Sequence, residues 1–182
     1  MAVNTIPAHW VNTTMKFAVR GLEGGNRVLV KTTEGSSLLS RARAYMGPSN
    51  LSDYTVEADV FATQKRRQQG DAGVIAQRYV LALYGNSQML HLEPWQPETA
   101  RTVTLPFTWK PDAWYRMKLT VENLPDGKVR ARGKVWPAGE QEPPAWMIER
   151  VDPLPNKQGA PGIFGNALAE IYFDNLRVTP NK

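Results

Sequence analysis

The sequence predicts an all-β protein in which two antiparallel sheets pack face to face. Apolar and polar residues alternate with a period of two along about ten segments, as half-buried strands require. Segments rich in Gly, Pro, Asn and Asp separate them, and these residue types are typical of turns. The 14 prolines and 14 glycines, and the lack of any helical period over more than about ten residues, argue against helices. Two sheets are expected because a sheet must bury its apolar face against another layer.

The chain length favours a single domain spanning residues 1–182. Chains of about 100 to 200 residues usually build one core, and 182 residues fall in that range. Hydrophobic residues make up 42% of the chain, including six Trp, six Tyr and five Phe that can fill the core. We predict that this core extends over about residues 17–179.

The composition also limits the chemistry and the location. The absence of cysteine excludes disulfides, thiolate metal sites and a Cys nucleophile. No apolar run approaches the roughly 18 residues of a membrane span, so none is expected. The first ten residues, MAVNTIPAHW, lack the charged and apolar regions of a secretory signal peptide.

Alternation is clearest in YTVEADVFA (Tyr54–Ala62), where Glu57 and Asp59 share one face opposite small apolar residues. Such a segment predicts a half-buried strand. The other predicted strands are RVLVKTT from Arg27, AGVIAQRYVLALYG from Ala72, MLHLEPW from Met89, RTVTLPF from Arg101, YRMKLTVEN from Tyr115, KVRARGKVWP from Lys128, AWMIERV from Ala145, PGIFG from Pro161 and AEIYFDNLRV from Ala169.

Two local signals refine this pattern. LPDGK, which begins at Leu124 between two alternating segments, predicts a hairpin because Asp-Gly accepts the positive φ angles of a tight turn. In the last strand the apolar residues on either side of Asp174-Asn175 cannot all alternate, which predicts a bulge at that pair.

The order of these motifs resembles a known family. DYTVEADV, GDAGVIAQRYVLALYG, WYRMKLTVEN with LPDGKVRARGKV, PGIFG and AEIYFDNLRV are similar, in that order, to the concanavalin A-like jelly rolls of laminin G domains, family 16 glucanases and 3-keto-disaccharide hydrolases. The resemblance covers about Phe17 to Thr179. It implies a jelly-roll sandwich and a role with carbohydrates, as a binding module or an enzyme.

Two longer segments bear on the kind of larger protein in which such a domain occurs. RARAYMGPSNLSDYTVEADV and GKVWPAGEQEPPAWMIERVDPLP resemble domains that follow pyrroloquinoline-quinone-type β-propellers in exported bacterial proteins. This resemblance implies an accessory module of a larger periplasmic or extracellular protein, with a neighbouring domain as a partner. In related jelly rolls an acidic residue of the closing strand holds a structural calcium ion, which implies such a role for Asp174. Alternatively, Asp174 and Asn175 hydrogen-bond loop backbone.

The residues favour binding over catalysis. Family 16 glucanases carry two Glu on one strand, whereas here Glu57 and Asp59 are followed by Phe61 and Ala62, so the catalytic pair is interrupted. The two histidines, which are far apart, do not have the spacing of a metal site. We therefore predict a non-catalytic carbohydrate-binding module. The alternative is a sugar-active enzyme of the 3-keto-glycoside hydrolase or lyase type, using either His91 and Glu93 or Glu57 and Asp59.

Two strands supply the predicted glycan site. Alternation places His91, Glu93 and Trp95 together on MLHLEPW, and a second set together on KVRARGKVWP. If both strands belong to one concave sheet, indoles and cations line a groove that suits a sugar. The alternative is that one or both tryptophans cover an edge or fill the core, where Trp109 and Trp114 are expected. The second set is Arg130, Arg132, Lys134 and Trp136, and Arg78 is placed at the border of the groove.

The net charge of +5 points to an acidic partner. The densest basic run is QKRRQQG (Gln64–Gly70), and runs of this kind are usually solvated loops. Its functional interpretation is contact with an acidic polysaccharide. Nucleic acid is a weaker candidate because no aromatic residue interrupts the run.

Overall fold

The computed structural model describes residues 5–33, 41–96 and 98–181. Within these ranges the only helices are two short 3-10 turns, Glu23–Gly25 and Thr99–Arg101, and no helix is long and apolar enough to cross a membrane. The sixteen strands are β1 (Trp10–Val11), β2 (Phe17–Gly21), β3 (Arg27–Lys31), β4 (Arg41–Met46), β5 (Tyr54–Ala62), β6 (Gln64–Lys65), β7 (Gln68–Gln69), β8 (Asp71–Ala76), β9 (Tyr79–Tyr84), β10 (Met89–Pro94), β11 (Val103–Pro106), β12 (Trp114–Asn123), β13 (Val129–Pro137), β14 (Ile148–Asp152), β15 (Gly162–Asn166) and β16 (Ile171–Pro180).

Fourteen of these strands form two antiparallel sheets. The front sheet has the order β1-β4-β15-β8-β9-β10-β11, and the back sheet has the order β14-β13-β12-β5-β16-β3-β2. Strands β6 and β7 form a separate two-stranded hairpin that leads into β8. The all-β, two-sheet architecture predicted from the alternation is therefore confirmed.

The core lies between the two sheets. Each strand turns alternate residues into it, as in Val56, Ala58 and Val60 of β5, which are almost fully buried. The sheets approach closely at Gly133, where a Cβ atom would lie 2.4 Å from Leu81 Cδ1. A residue with a side chain at position 133 would therefore force the sheets apart.

All ten predicted strands overlap strands of the structure, but the segment from Ala72 is divided. It forms β8 and β9, joined by a two-residue turn at Gln77 and Arg78, whose φ angles are 49° and 68°. Two consecutive residues with left-handed φ angles form a type I′ turn, in which Asn and Gly are the usual residues. Because Gln and Arg occupy these positions, the sequence did not indicate a turn here. Strands β1, β2, β4, β6 and β7 were not predicted.

Both local signals are confirmed. Residues 124–128 connect β12 to β13, with Gly127 at φ 83° and its N–H donated to the Leu124 carbonyl. The register of β16 against β5 shifts between Asp174 and Arg177, and Asn175 between them has φ 49°. Across the bulge, Ile171 and Phe173 are buried in the core and Leu176 packs against it, whereas Val178 is 36% exposed.

The loops at the far end of β8 are tied together through the buried side chain of Gln77. Its Nε2 donates to Asn123 Oδ1 and to the Asn156 carbonyl, and its Oε1 accepts from the Asp53 N–H. The Tyr54 hydroxyl accepts from the Gln77 N–H, and burial raises the pKa of Tyr54 to about 12. This network fixes the end of the sandwich that lies opposite the β6–β7 hairpin.

Lys31 is a charged residue inside the core. It is 1% exposed, and its Nζ donates to the Ala167 carbonyl at 2.5 Å. Burial lowers the pKa of Lys31 below 10.5, because the ammonium group loses its hydration. Between the lowered pKa and 10.5 the unfolded chain binds more protons than the folded protein, so stability rises with pH in that window.

We expect Lys31→Met to remove this pH dependence. The stability of the variant relative to the wild type should be greatest below the lowered pKa. It should then fall by about 1.4 kcal/mol per pH unit within the window. Urea unfolding of both proteins from pH 7 to 10.5 measures this difference. If the stabilities of the two proteins change in parallel with pH, burial does not shift the pKa of Lys31.

Candidate functional site

The front face is the set of front-sheet side chains that point away from the core. Strand register aligns these side chains in rows across the sheet. The middle row runs Arg43, Phe164, Gly73, Ala82 and His91, from β4 to β10. Small residues therefore occupy the centre of the row, and large polar ones occupy its two ends.

The floor of the front face consists of Ile75, Val80, Ala82 and Phe164. These four side chains are at most 3% exposed although they lie outside the main core, and Tyr45 and Tyr84 pack against them. Because these four residues are almost inaccessible to solvent, other side chains must cover them. The covering side chains come from the two ends of the rows.

Trp95, directly after β10, folds back over the front face. Its ring lies 4.6 Å from the Arg43 guanidinium and 5.9 Å from the Tyr45 ring, both on β4. Strands β10 and β4 are four strand spacings apart, about 19 Å along the sheet. The contact therefore reaches across most of the sheet, and we call the Arg43–Trp95 contact the bridge. The indole is 38% exposed.

His91, Glu93 and Tyr84 form a hydrogen-bonded cluster beside the bridge. The Tyr84 ring stacks on the His91 ring with centroids 4.1 Å apart. The buried Glu93 Oε1 accepts from the Tyr84 hydroxyl at 2.7 Å and lies 3.1 Å from His91 Nδ1. Burial and the Glu93 carboxylate raise the pKa of Tyr84, so Tyr84 stays protonated at neutral pH. A His91 tautomer with its proton on Nδ1 leaves Nε2 as the free ring nitrogen.

A second polar group lies at the other end of the front face, at the start of β8. Asp71 accepts from the Gly85 N–H at 3.1 Å and from Asn166 Nδ2 at 3.1 Å. Burial raises the pKa of Asp71, and these hydrogen bonds partly oppose the shift. Arg41 shares the row of Asn166, with its guanidinium 5.9 Å from the Phe164 ring.

Solved structures resemble this architecture, although no protein-family model and no curated protein matches the sequence. The marine alginate lyase from Aplysia kurodai has a TM-score of 0.59 over 94% of this chain and 89% of its own, at 12% identity. The endo-β-1,4-glucuronan lyase from the fungus Trichoderma reesei has a TM-score of 0.57 over 98% and 94%, at 13% identity. An uncharacterized protein from Mycobacterium paratuberculosis reaches 0.55 over 98% and 96%, at 11% identity.

The chain has the jelly-roll fold. The resemblance found in the sequence is confirmed at this level. At identities of 11 to 13% the likeness shows the fold alone, because one fold hosts many activities.

The single groove predicted from β10 and β13 is wrong. Strand β10 lies in the front sheet of the jelly roll and β13 in the back sheet, so Trp95 and Trp136 face opposite ways. Period-two alternation gives the face of a strand but not the sheet to which the strand belongs. Of the predicted binding residues, His91, Glu93 and Trp95 share the front face, whereas Arg130, Arg132, Lys134 and Trp136 share the outer side of the back sheet.

The predicted basic residues of β13 lie on the outer side of the back sheet, where carboxylates neutralise them. Glu122 accepts from both Arg130 and Arg132, and Glu142 accepts from Lys134 at 3.0 Å. Burial opposes ionisation of Glu142, but the lysine hydrogen bonds outweigh it and lower the pKa of this carboxyl. These cations are already paired within the protein.

Of the remaining predicted residues, Glu57 and Asp59 have cationic partners on the back sheet, and Arg78 lies in a turn. Asp59 accepts two hydrogen bonds from Arg116 at 2.7 Å, and Glu57 lies 3.3 Å from Lys118. Both acids thus stabilise the back sheet, and neither is near His91. Arg78 is in the β8–β9 turn, at the far end of β8.

The locations of the tryptophans differ in part from those predicted. Trp109 is in the core as expected, but Trp114 packs on Phe61 outside the core, with ring centroids 5.3 Å apart. Trp136 is only 6% exposed and so provides no platform for a ligand. Trp146 covers Arg132 and Lys134 on the back sheet.

Asp174 is held by hydrogen-bond donors. Its two oxygens accept from Asn26 Nδ2 at 2.7 Å and from the Asn175 N–H at 2.8 Å. A calcium ion would need those oxygens and about six ligands in total, and within the described ranges no group of three or more His, Asp or Glu residues is placed to hold a metal ion. The calcium site stays a prediction, and this hydrogen bonding counts against it.

Several front-face residues were missed from the sequence because β4 was not predicted. RARAYM alternates cations and an aromatic ring, Arg41, Arg43 and Tyr45, with alanines that enter the core. That period-two pattern was the available signal. Tyr84 and Phe164 were in predicted strands but could not be assigned to the outer face.

We expect Trp136→Ala to destabilise the fold by about 3 to 5 kcal/mol, as is usual for a buried tryptophan. Trp95→Ala should cost about 1 kcal/mol, because its indole is partly exposed and outside the core. Thermal melting of both variants beside the wild type measures this order. Equal losses would show that the bridge is as important for stability as the buried indole.

Proposed function

We propose that the chain binds carbohydrate on the front face as a non-catalytic module. The observation that carries the proposal is the bridge: a partly exposed indole packs on Arg43 and Tyr45 at the edge of the dry floor. The strand that leads to this indole also carries His91 and Glu93 of the polar cluster. Sugars stack their C–H faces on such rings, and side-chain donors and acceptors bind their hydroxyls.

Charge pairing favours the front face over the back sheet. On the back sheet Arg116, Arg130, Arg132 and Lys134 all have carboxylate partners, so a ligand would have to break ion pairs. On the front face Arg43 has no carboxylate partner among the described residues, and its Nε is buried without a hydrogen-bond partner, as is Nε of Arg132 on the back sheet. Donors of this kind gain more from a ligand than donors that are already paired.

The similar structures support the choice of ligand class. Two of them are of enzymes described as acting on alginate and on glucuronan, which are polysaccharides. The match to these two enzymes extends over nearly the whole of each chain.

The binding test compares two tryptophans on opposite faces. Trp95→Ala should weaken glycan binding about five- to tenfold, because one stacked ring contributes about 1 kcal/mol. Trp146→Ala, which removes an indole from the back sheet, should leave affinity unchanged. Titration calorimetry with a glycan found on an array measures both. An equal effect of the two variants would contradict a site on the front face.

A sugar-cleaving activity is the second candidate, and the hydrogen bond between Glu93 and His91 favours it. The buried carboxylate orients the imidazole so that Nε2 faces away as a base. In a uronic acid, such a base can take the proton from the carbon beside the carboxylate. The electron pair then forms a carbon–carbon double bond, and the glycosidic oxygen leaves with the proton that the protonated His91 returns to it. An arginine such as Arg43 would stabilise the charged intermediate.

Catalysis is tested by incubating the wild type and His91→Gln with alginate and with polyglucuronate. If the second candidate holds, the wild type generates the ultraviolet absorbance of the new double bond, and His91→Gln loses at least about 100-fold of that rate. If the binding module is correct, neither protein produces the signal although the wild type binds. Equal rates in both proteins would exclude His91 as the base.

A further inference from the structure

The front face alone does not explain the excess positive charge of the chain. Its two arginines, Arg41 and Arg43, are matched in number by the carboxylates of Asp71 and Glu93. Three further cations without a carboxylate partner in the described ranges lie next to the start of β8, in the β6–β7 hairpin. This hairpin therefore places unpaired positive charge next to the front face.

The hairpin turn presents three cations in sequence, Lys65, Arg66 and Arg67. All three residues are exposed, and within the part of the chain that the structure describes none has a carboxylate partner. The strands are fixed by the pairs Gln64–Gln69 and Lys65–Gln68, and Asn86 Oδ1 accepts from the Gln69 N–H at 3.0 Å. The cations thus project from a docked hairpin.

A cleft connects this turn to the front face. Its walls include Asn86, Gln68 and Leu168, and it also contains Asp71 and Asn166, which lie at the end of the front face. Gln68 and Leu168 in turn line a second cleft that contains the three cations. From Arg67 to Asp71 an extended chain covers at most about 13 Å, so one ligand can span both.

Gln69, in the wall of the first cleft, carries an unused donor. The residue is 7% exposed, and its Oε1 accepts from Gln88 Nε2 at 3.3 Å. Its Nε2 is buried and has no hydrogen-bond partner in the described ranges. Buried donors are almost always satisfied, so this amide points to a ligand oxygen in the cleft.

We infer that the hairpin and the cleft are a subsite for an acidic polysaccharide whose chain continues from the front face. The inference rests on the proposed function and names its ligand class. Gln69 Nε2 donates to an oxygen of one sugar unit, and Arg66 and Arg67 contact carboxylates of the next units. The Asp71 carboxylate, turned toward Gly85 and Asn166, keeps ligand carboxylates on the hairpin side.

Arg66 occupies its position in the hairpin turn at a conformational cost. Arg66 has φ 59°, a left-handed conformation at the first central residue of a two-residue turn, where glycine is strongly favoured. Arg66→Gly relieves that strain and removes the charge. Stability and acidic-glycan affinity should therefore change in opposite directions, which a purely structural role would not produce.

The experiment measures binding of galacturonate oligomers and of neutral gluco-oligomers of the same length, at 0.01 M and 0.15 M salt. The wild type should prefer the acidic oligomer. Arg66→Gly and Arg67→Gln should each lower that affinity about two- to fivefold at low salt and leave neutral binding unchanged. Lys157→Gln, which removes an exposed cation at the far end of β8, is the matched control. At 0.15 M salt the affinities of the wild type and the variants for the acidic oligomer should differ less, since the Debye length falls from about 30 to about 8 Å.

The outcomes separate this inference from the proposed function. Unchanged acidic affinity in both hairpin variants, with loss in Trp95→Ala, overturns the subsite and keeps the front face. Preference for neutral oligomers, or equal binding of polyglutamate of similar length, also overturns the acidic-glycan inference. If the wild type binds no glycan, both proposals fail. A melting temperature of Arg66→Gly at or above that of the wild type excludes unfolding as the cause of lost binding.

Discussion

Every strand of both sheets turns one side into the same core, and this constraint determines which residues remain for function. The back sheet uses its outer side for ion pairs such as Asp59–Arg116, which satisfy its charges internally. The front sheet instead has an apolar floor, and its arginines Arg41 and Arg43 have no carboxylate partner within the described ranges. The two outer surfaces of one sandwich thus differ in chemistry, although their strands follow the same alternation.

The sequence was sufficient for the fold class and for part of the candidate site. Alternation depends only on neighbouring residues, so it placed His91, Glu93 and Trp95 on one face of β10 correctly. The bulge at Asp174-Asn175 was also visible, because an uninterrupted strand would have turned apolar residues outward. These features are local, and local patterns are what a single sequence records.

Features that depend on distant pairing could not be predicted. Nothing in KVRARGKVWP states that β13 pairs with β12 and β14 and so lies in the back sheet. Trp95 and Arg43 meet although β10, which leads to Trp95, and β4 are four positions apart in the front sheet, an order that no local pattern of the sequence records. The Gln77-Arg78 turn adopts a glycine-type geometry because the network around Gln77 outweighs the intrinsic preference of both residues.

The position of β16 has a consequence for how the protein is made. This strand is the last along the chain among those described, yet it lies between β5 and β3 inside the back sheet. During synthesis the ribosome must release about 120 further residues after β5 before its partner exists, at about 5 to 20 residues per second. Until then β5 and β3 expose unpaired edges for several seconds, and these edges are templates for aggregation. Folding is therefore expected to be slow, non-local and dependent on protection of the nascent chain.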